Sequence, residues 1–146
     1  NLGHSVCSNG AVTIEVDPAD NRGYRPTDVI TFDPRDVLTQ LDTVAALRAG
    51  GPRAIGGLLH ESHVSMRDDF EISIDELDAA VETAQRHGAI GARMTGGGFG
   101  GAAIALCPVE KISEISNAVY AEFEALGFTR PEIFVVSAAP GAHREQ

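Results

Sequence analysis

The sequence predicts an α+β fold, a two-layer sandwich in which an antiparallel sheet is backed by helices. Three observations lead there. The second half reads helix, strand, glycine-rich loop, strand, helix, strand, which suits an antiparallel sheet with helices on it. Its helical segments carry apolar residues at helical spacing and end at glycines. Finally, 146 residues with 43% hydrophobic and 22% charged content are enough for one globular domain with a real core.

Taken in order, residues 1–36 are the least regular part. AVTIEV (11–16) alternates and is rich in β-branched residues, so it reads as a short strand. DPADNRGYRPTD (17–28) is turn chemistry, and VITF (29–32) is a second candidate strand that would complete a long-looped hairpin. A helix is expected after Asp33 and Pro34, with Val37, Leu38, Leu41, Val44, Ala45 and Leu47 on one stripe and Gly50 and Gly51 as its stop. Pro52 suits the first turn of the next helix, whose inner face is Ile55, Leu58, Leu59, Ser62 and Met66 before RDDFEIS (67–73) interrupts it.

Ser73 and Glu76 have capping-box spacing and precede the stripe Leu77, Ala80, Val81, Ala84, with Gly88 where a left-handed residue ends a helix. AIGARM (89–94) and AAIALC (102–107) read as strands on either side of the glycine loop. A last helix is expected over about 109–126, with Ile112, Ile115, Val119 and Phe123 inward and Gly127 as its stop, then a strand EIFVVSA (132–138) and a frayed tail.

Composition excludes several classes. The net charge of −10, with Lys111 as the only lysine and the arginines scattered, argues against nucleic acid and anionic membranes as partners. No apolar stretch is long enough to span a bilayer and no signal peptide opens the chain, so a cytoplasmic location is expected. Cys7 and Cys107 lie far apart without zinc spacing and read as free thiols.

Five of the six residues from Gly96 to Gly101 are glycine. The loop lacks the lysine of a P-loop. Gly96, Gly98 and Gly101 match the dinucleotide fingerprint, but a strand follows where that motif needs a helix. The strand–loop–strand setting of protein kinases is present without their companion motifs. Two readings stay open: a ligand-free hairpin, or a backbone that must come close to a phosphate-bearing ligand. The second accounts better for glycines that each cost on the order of 0.5–1 kcal/mol relative to alanine, since consecutive bare N–H groups make an anion-friendly concavity.

Other polar residues have plain structural readings. His60 and His63 are three apart without an evident third metal ligand, so helix packing or a surface place is expected. Asp68, Asp69 and Glu71 read as caps and turn acceptors, with Arg67 paired to one of them.

GARMTGGGFGGAAIAL (91–106) resembles the third motif of the galactokinase branch of the GHMP small-molecule kinases. GLLHESHVSMRDDFEIS (57–73), ELDAAVETA (76–84) and FVVSAAPGAHR (134–144) are similar to further stretches of that family in the same order, so the resemblance covers about residues 53–144. It implies the family's C-terminal domain over 37–146, ferredoxin-like, after an irregular lead-in over 1–36. It implies that Thr95, Gly96, Gly97, Gly98, Phe99, Gly100 and Gly101 bind nucleotide phosphates in an interdomain cleft, with Arg93 and Met94 holding the strand before them. The reaction implied is transfer of the γ-phosphoryl of ATP, with Mg2+, to the C1 hydroxyl of galactose; N-acetylgalactosamine or arabinose stay open as sugars.

The departures matter equally. The family's first motif, which binds the sugar and holds a catalytic arginine, and its Ser-rich second motif, which wraps the ATP phosphates, have no match here. The surroundings of the catalytic aspartate belong to the same missing half. RDVLTQLDTV (35–44) only echoes a family helix, broken at Asp36, Gln40 and Leu41. The expectation is therefore the C-terminal part of a galactokinase, with no catalytic residue of its own and inactive alone. It would work with an N-terminal GHMP domain in the same or a separate chain. The alternative is a non-catalytic module that senses a sugar or nucleotide or binds a protein.

Overall fold

A computed structural model describes the backbone of residues 9–16 and 34–138, and the side chains of 41–138. The candidate strand at 29–32, its hairpin, Cys7 and the tail lie outside the described residues. The strands are β1 (Asn9–Val16), β2 (Gly91–Thr95), β3 (Gly101–Pro108) and β4 (Glu132–Val136). The helices are α1 (Pro34–Gly50), α2 (Gly56–Val64), α3 (Asp75–Arg86) and α4 (Ile112–Leu126).

The strands form one antiparallel sheet in the order β2-β3-β1-β4. Helices follow β1 and β3, giving two β-α-β units, β1 to β2 and β3 to β4, whose strands interleave in the sheet. This is the expected two-layer α+β sandwich of ferredoxin-like topology.

The core lies between the sheet and α3 with α4. Leu77, Ala80, Val81 and Ala84 of α3 meet Ile115, Val119 and Phe123 of α4 over Ala103, Ala105 and Cys107 of β3, all essentially inaccessible. The alternation of β3 follows from its two-residue side-chain period: 103, 105 and 107 face the helices while 102, 104 and 106 stay half-buried on the other side. Burial pushes the Cys107 thiol above its usual range.

Both core helices stop as their glycines predict. Gly88 has φ 103°, with Ala89 N–H on the Ala84 carbonyl at 2.9 Å and Gly88 N–H on Gln85 at 3.1 Å. Gly127 has φ 74° and repeats the pattern, with Phe128 N–H on the Phe123 carbonyl at 2.9 Å.

Three details depart from expectation. The second helix is compound: a 3₁₀ turn at Pro52–Ile55, then α2, then one wider π turn at Ser65–Asp69. The capping box does not form, because Ile74 is the N-cap and no side chain caps it. The Ser73 hydroxyl instead donates to the Asp78 carboxylate at 2.5 Å. On α1, Leu41, Val44 and Leu47 are 62%, 45% and 39% exposed, so this part of the apolar stripe is not covered by the described residues.

Candidate functional site

The glycine loop joins β2 to β3 and is held from one side. Phe99 donates its N–H to the Ile72 carbonyl at 2.7 Å. Gly98, at φ 85°, has its Cα so close to Ile72 that a Cβ would lie 2.6 Å from both the Ile72 Cβ and its carbonyl oxygen. Only glycine fits there. Phe99 itself has φ 59°, and Glu71, just before Ile72, has φ 53°. Two non-glycine residues in the left-handed region thus flank a single hydrogen bond, the sort of strain that persists where surrounding structure over-determines it.

The opposite side of the loop is open. Among the described residues, and apart from the chain neighbours, no atom lies within 4 Å of where Gly96 or Gly97 would carry a Cβ. Thr95, Gly96, Gly97 and Gly101 are exposed, Gly98 and Phe99 half-buried and Gly100 buried. The structure therefore brings residues 95–101 together as one loop with a braced inner side and a bare outer one. Backbone amides on a bare side can approach an anion without a side chain in the way.

The strand that leads into the loop is nailed down. Met94 is fully buried. Its N–H donates to His63 Nδ1 at 3.2 Å, and its carbonyl accepts from Arg93 Nε at 2.9 Å. An Arg93 nitrogen also lies 3.5 Å from the Met66 sulfur. Arg93 and Met94 do hold the strand, as expected. At its start, α2 and β2 touch backbone to backbone: a Cβ on Gly56 would stand 2.1 Å from the Ile90 carbonyl oxygen, and one on Gly91 would stand 2.6 Å from that of Gly56.

The polar residues of 60–78 divide between surface and core. Arg67 forks onto Asp68, with Nε to Oδ1 at 2.7 Å and a second nitrogen to Oδ2 at 3.0 Å, and reaches Glu82 at 3.3 Å. The hydrogen bond from Arg67 holds the exposed Asp68 carboxyl below its usual range. Asp69 accepts from the Ser65 hydroxyl at 2.9 Å. Arg67 thus pairs with Asp68, as expected, and Asp69 has a structural partner in Ser65.

His60 meets Gln85 at the surface at 3.2 Å, whereas His63 is 1% exposed. His63 Nε2 lies 3.2 Å from Asp78 Oδ1, off the hydrogen-bonding axis, and makes no hydrogen bond within the described residues. Burial lowers the His63 pKa, with Asp78 opposing and Arg67 assisting.

Sequence reasoning did not single out Ile72 or His63 as supports of the loop. Ile72 acts through its backbone, which no side-chain pattern reports. For His63 the available signal was its place three residues before Met66, on the inner stripe of that helix.

Comparison with known proteins accords with this geometry. Residues 43–125, more than half of the chain, match the family model described as GHMP kinases C terminal. The chain belongs to that family. Within it, the sequence is similar to galactokinases. It is 50% identical over 101 residues to the galactokinase of Streptomyces coelicolor, covering 69% of this chain and 26% of that protein. It is 46% identical over 112 residues to the galactokinase of Mycobacterium tuberculosis, covering 74% and 31%. The chain thus spans between a quarter and a third of the length of these curated relatives.

In fold it is similar to Lactococcus lactis galactokinase, solved in complex with galactose, with a TM-score of 0.71 and 24% identity over 88% of this chain and 45% of that one. Methanococcus jannaschii mevalonate kinase follows with a TM-score of 0.56 and 21% identity over 87% and 38%. At such identities the likeness concerns the fold.

Proposed function

We propose that this chain is the C-terminal part of a galactokinase and that Thr95, Gly96, Gly97, Gly98, Phe99, Gly100 and Gly101 line the site of the nucleotide phosphates. The observation that carries the reading is the two-sided loop: braced by Ile72 behind Gly98 and Phe99, open in front of Gly96 and Gly97. In the reaction a bond forms between the C1 hydroxyl oxygen of galactose and the γ-phosphorus of ATP. The bond from that phosphorus to the β,γ-bridging oxygen breaks, and the hydroxyl proton leaves. Such transfer relies on positioning and on stabilising charge, not on covalent catalysis by the protein. A rigid loop of bare amides supplies both to the phosphate oxygens.

Among the described residues no three His, Cys, Asp or Glu side chains converge to hold a metal ion, and residues 95–101 carry no carboxylate. The residues present do not fit a Mg2+ site of their own. The sugar contacts, the catalytic carboxylate and the rest of the nucleotide site would come from an N-terminal domain. The exposed Leu41, Val44 and Leu47 of α1 are in keeping with a domain that needs covering. This reading puts the protein in the cytoplasm. Among the described residues no helix is long and apolar enough to cross a membrane.

The test is galactose-dependent ADP release in Mg-ATP, from the 146-residue chain and from a chimera in which it replaces the matching portion of the Streptomyces coelicolor galactokinase. No turnover is expected from the chain alone, and turnover from the chimera. Robust turnover by the chain alone would refute this placement of the chemistry. A folded but inactive chimera would refute the galactokinase reading in favour of a non-catalytic module.

A further inference from the structure

We propose that His63 is a positioning residue for the glycine loop: its imidazole takes the Met94 amide of edge strand β2 and so fixes where residues 95–101 begin. The inference rests on the reading of that loop as the phosphate site.

β2 stands at one end of the sheet order, so among the described residues its outward backbone groups have no strand to pair with. Side chains take them instead. His63 of α2 accepts the Met94 N–H at 3.2 Å, and Gln85 of α3 approaches the Ala92 carbonyl at 3.5 Å. Met94 directly precedes Thr95, the first loop residue. An aliphatic side chain at 63 would leave a buried amide unpaired at the loop's entrance, where an unmet donor is costly.

The hydrogen-bond chemistry also fixes the state of the ring. Nδ1 can accept only when it carries no proton, so the neutral ring carries its proton on Nε2. Nε2 lies 3.2 Å from the Asp78 carboxylate, off the hydrogen-bonding axis. Asp78 is itself oriented by the Ser73 hydroxyl. His63 thus ties α2 to the entrance of the loop through Met94, while Asp78 stands beside Nε2 without hydrogen-bonding it. The charged and titratable groups around the ring are Asp78 and Glu82 from α3, Arg67 from the π turn and His60 from α2. A proton added at Nδ1 would abolish the Met94 contact.

The experiment is NMR on the 15N-labelled 146-residue chain with two variants. In the wild type near neutral pH, His63 should show an unprotonated Nδ1 and a protonated Nε2; a ring protonated on Nδ1 overturns the proposal outright. His63→Phe should speed exchange of the Met94 amide roughly ten- to a hundredfold and shift the amide signals of Thr95–Gly101, while core amides such as Leu77 and Val119 stay in place. His63→Asn, whose side-chain oxygen can accept near the place of Nδ1, should keep Met94 protected. If His63→Phe fails to fold, the wild-type ring state and His63→Asn decide. Loop and Met94 signals unmoved in a folded His63→Phe would refute the role. The phosphate reading fails separately: loop signals would still move in His63→Phe, but the chimera's KM for ATP would not respond to Gly97→Ala.

Discussion

The Phe99 N–H meets the Ile72 carbonyl at 2.7 Å with a left-handed non-glycine residue on each side of the contact, Glu71 at φ 53° and Phe99 at φ 59°. Such conformations cost about 1 kcal/mol or more each. They are tolerated because the loop has its fixed place against 70–73, and Gly98 is where the two segments come closest.

Two neighbouring glycines should therefore behave differently. Gly98→Ala puts a Cβ 2.6 Å from Ile72 at a positive φ and should lower stability by about 1–3 kcal/mol. Gly97→Ala meets open space and should change stability by no more than about 0.5 kcal/mol. If backbone amides serve the ATP phosphates, Gly97→Ala should nevertheless reduce kcat/KM for ATP in the chimera roughly ten- to a hundredfold. Urea unfolding and steady-state kinetics give both numbers. Equal stability losses at 97 and 98 would refute the two-sided loop, and unchanged kinetics would favour a ligand-free hairpin.

The contact between Gly56 and Gly91 makes a prediction about register. A methyl on Gly56 cannot fit 2.1 Å from the Ile90 carbonyl oxygen, so α2 must lift from β2. Gly56→Ala should cost about 1–3 kcal/mol at unchanged m-value. Gly91→Ala, whose Cβ would meet Gly56, should cost a similar amount. The double variant should lose less than the sum, because one displacement of α2 relieves both clashes. Strict additivity in urea unfolding would show that the two glycines do not share a contact.

The elements read most easily from sequence are those whose local signals agree with their tertiary role. In α3 and α4 the apolar stripe, the terminal glycine and the burial of Leu77, Val81, Ile115 and Phe123 coincide. The Ser73 to Glu76 spacing misled because Ile74 is the N-cap and the Ser73 hydroxyl points to the Asp78 carboxylate, a placement that spacing does not report. The π turn at Ser65–Asp69 reads in the sequence only as an interruption, since a wider turn has no composition of its own. For the loop, its composition announced a close approach. That one partner is the Ile72 backbone is a tertiary fact that composition does not carry.

Phe123 joins the core to the end of α4. Its ring meets that of Phe128 edge-on, with centroids 5.6 Å apart and planes at 77°, while its carbonyl accepts the Phe128 N–H. Phe123→Ala removes a fully buried ring and one partner of that pair, so a loss of about 3–5 kcal/mol is expected. That is a large share of the stability of an ordinary domain, and the thermal midpoint should fall accordingly. A loss below about 1 kcal/mol would mean that the contact between α3, α4 and β3 is not the stabilising centre.

The buried imidazole sets a direction for pH. Burial holds the folded His63 pKa below its ordinary 6.5, despite the opposing Asp78 carboxylate. Between the two values the unfolded chain binds the proton and the folded chain does not, so stability rises with pH across that window. The contribution is complete above about pH 6.5 and is lost as pH falls beneath it, by at most about 1.4 kcal/mol per pH unit for a single proton. His63→Asn removes this titration while leaving Asp68 and Glu114, whose lowered carboxyl pKa values act further into acid. Urea midpoints from pH 7.5 to 5 should therefore fall more steeply for the wild type than for His63→Asn. The Met94 contact itself should be lost further into acid, below the lowered folded pKa, where the proton lands on the nitrogen that accepts the amide. Parallel stability profiles would show that folding does not change the protonation of His63, and the tie between this imidazole and the glycine loop would have to be abandoned.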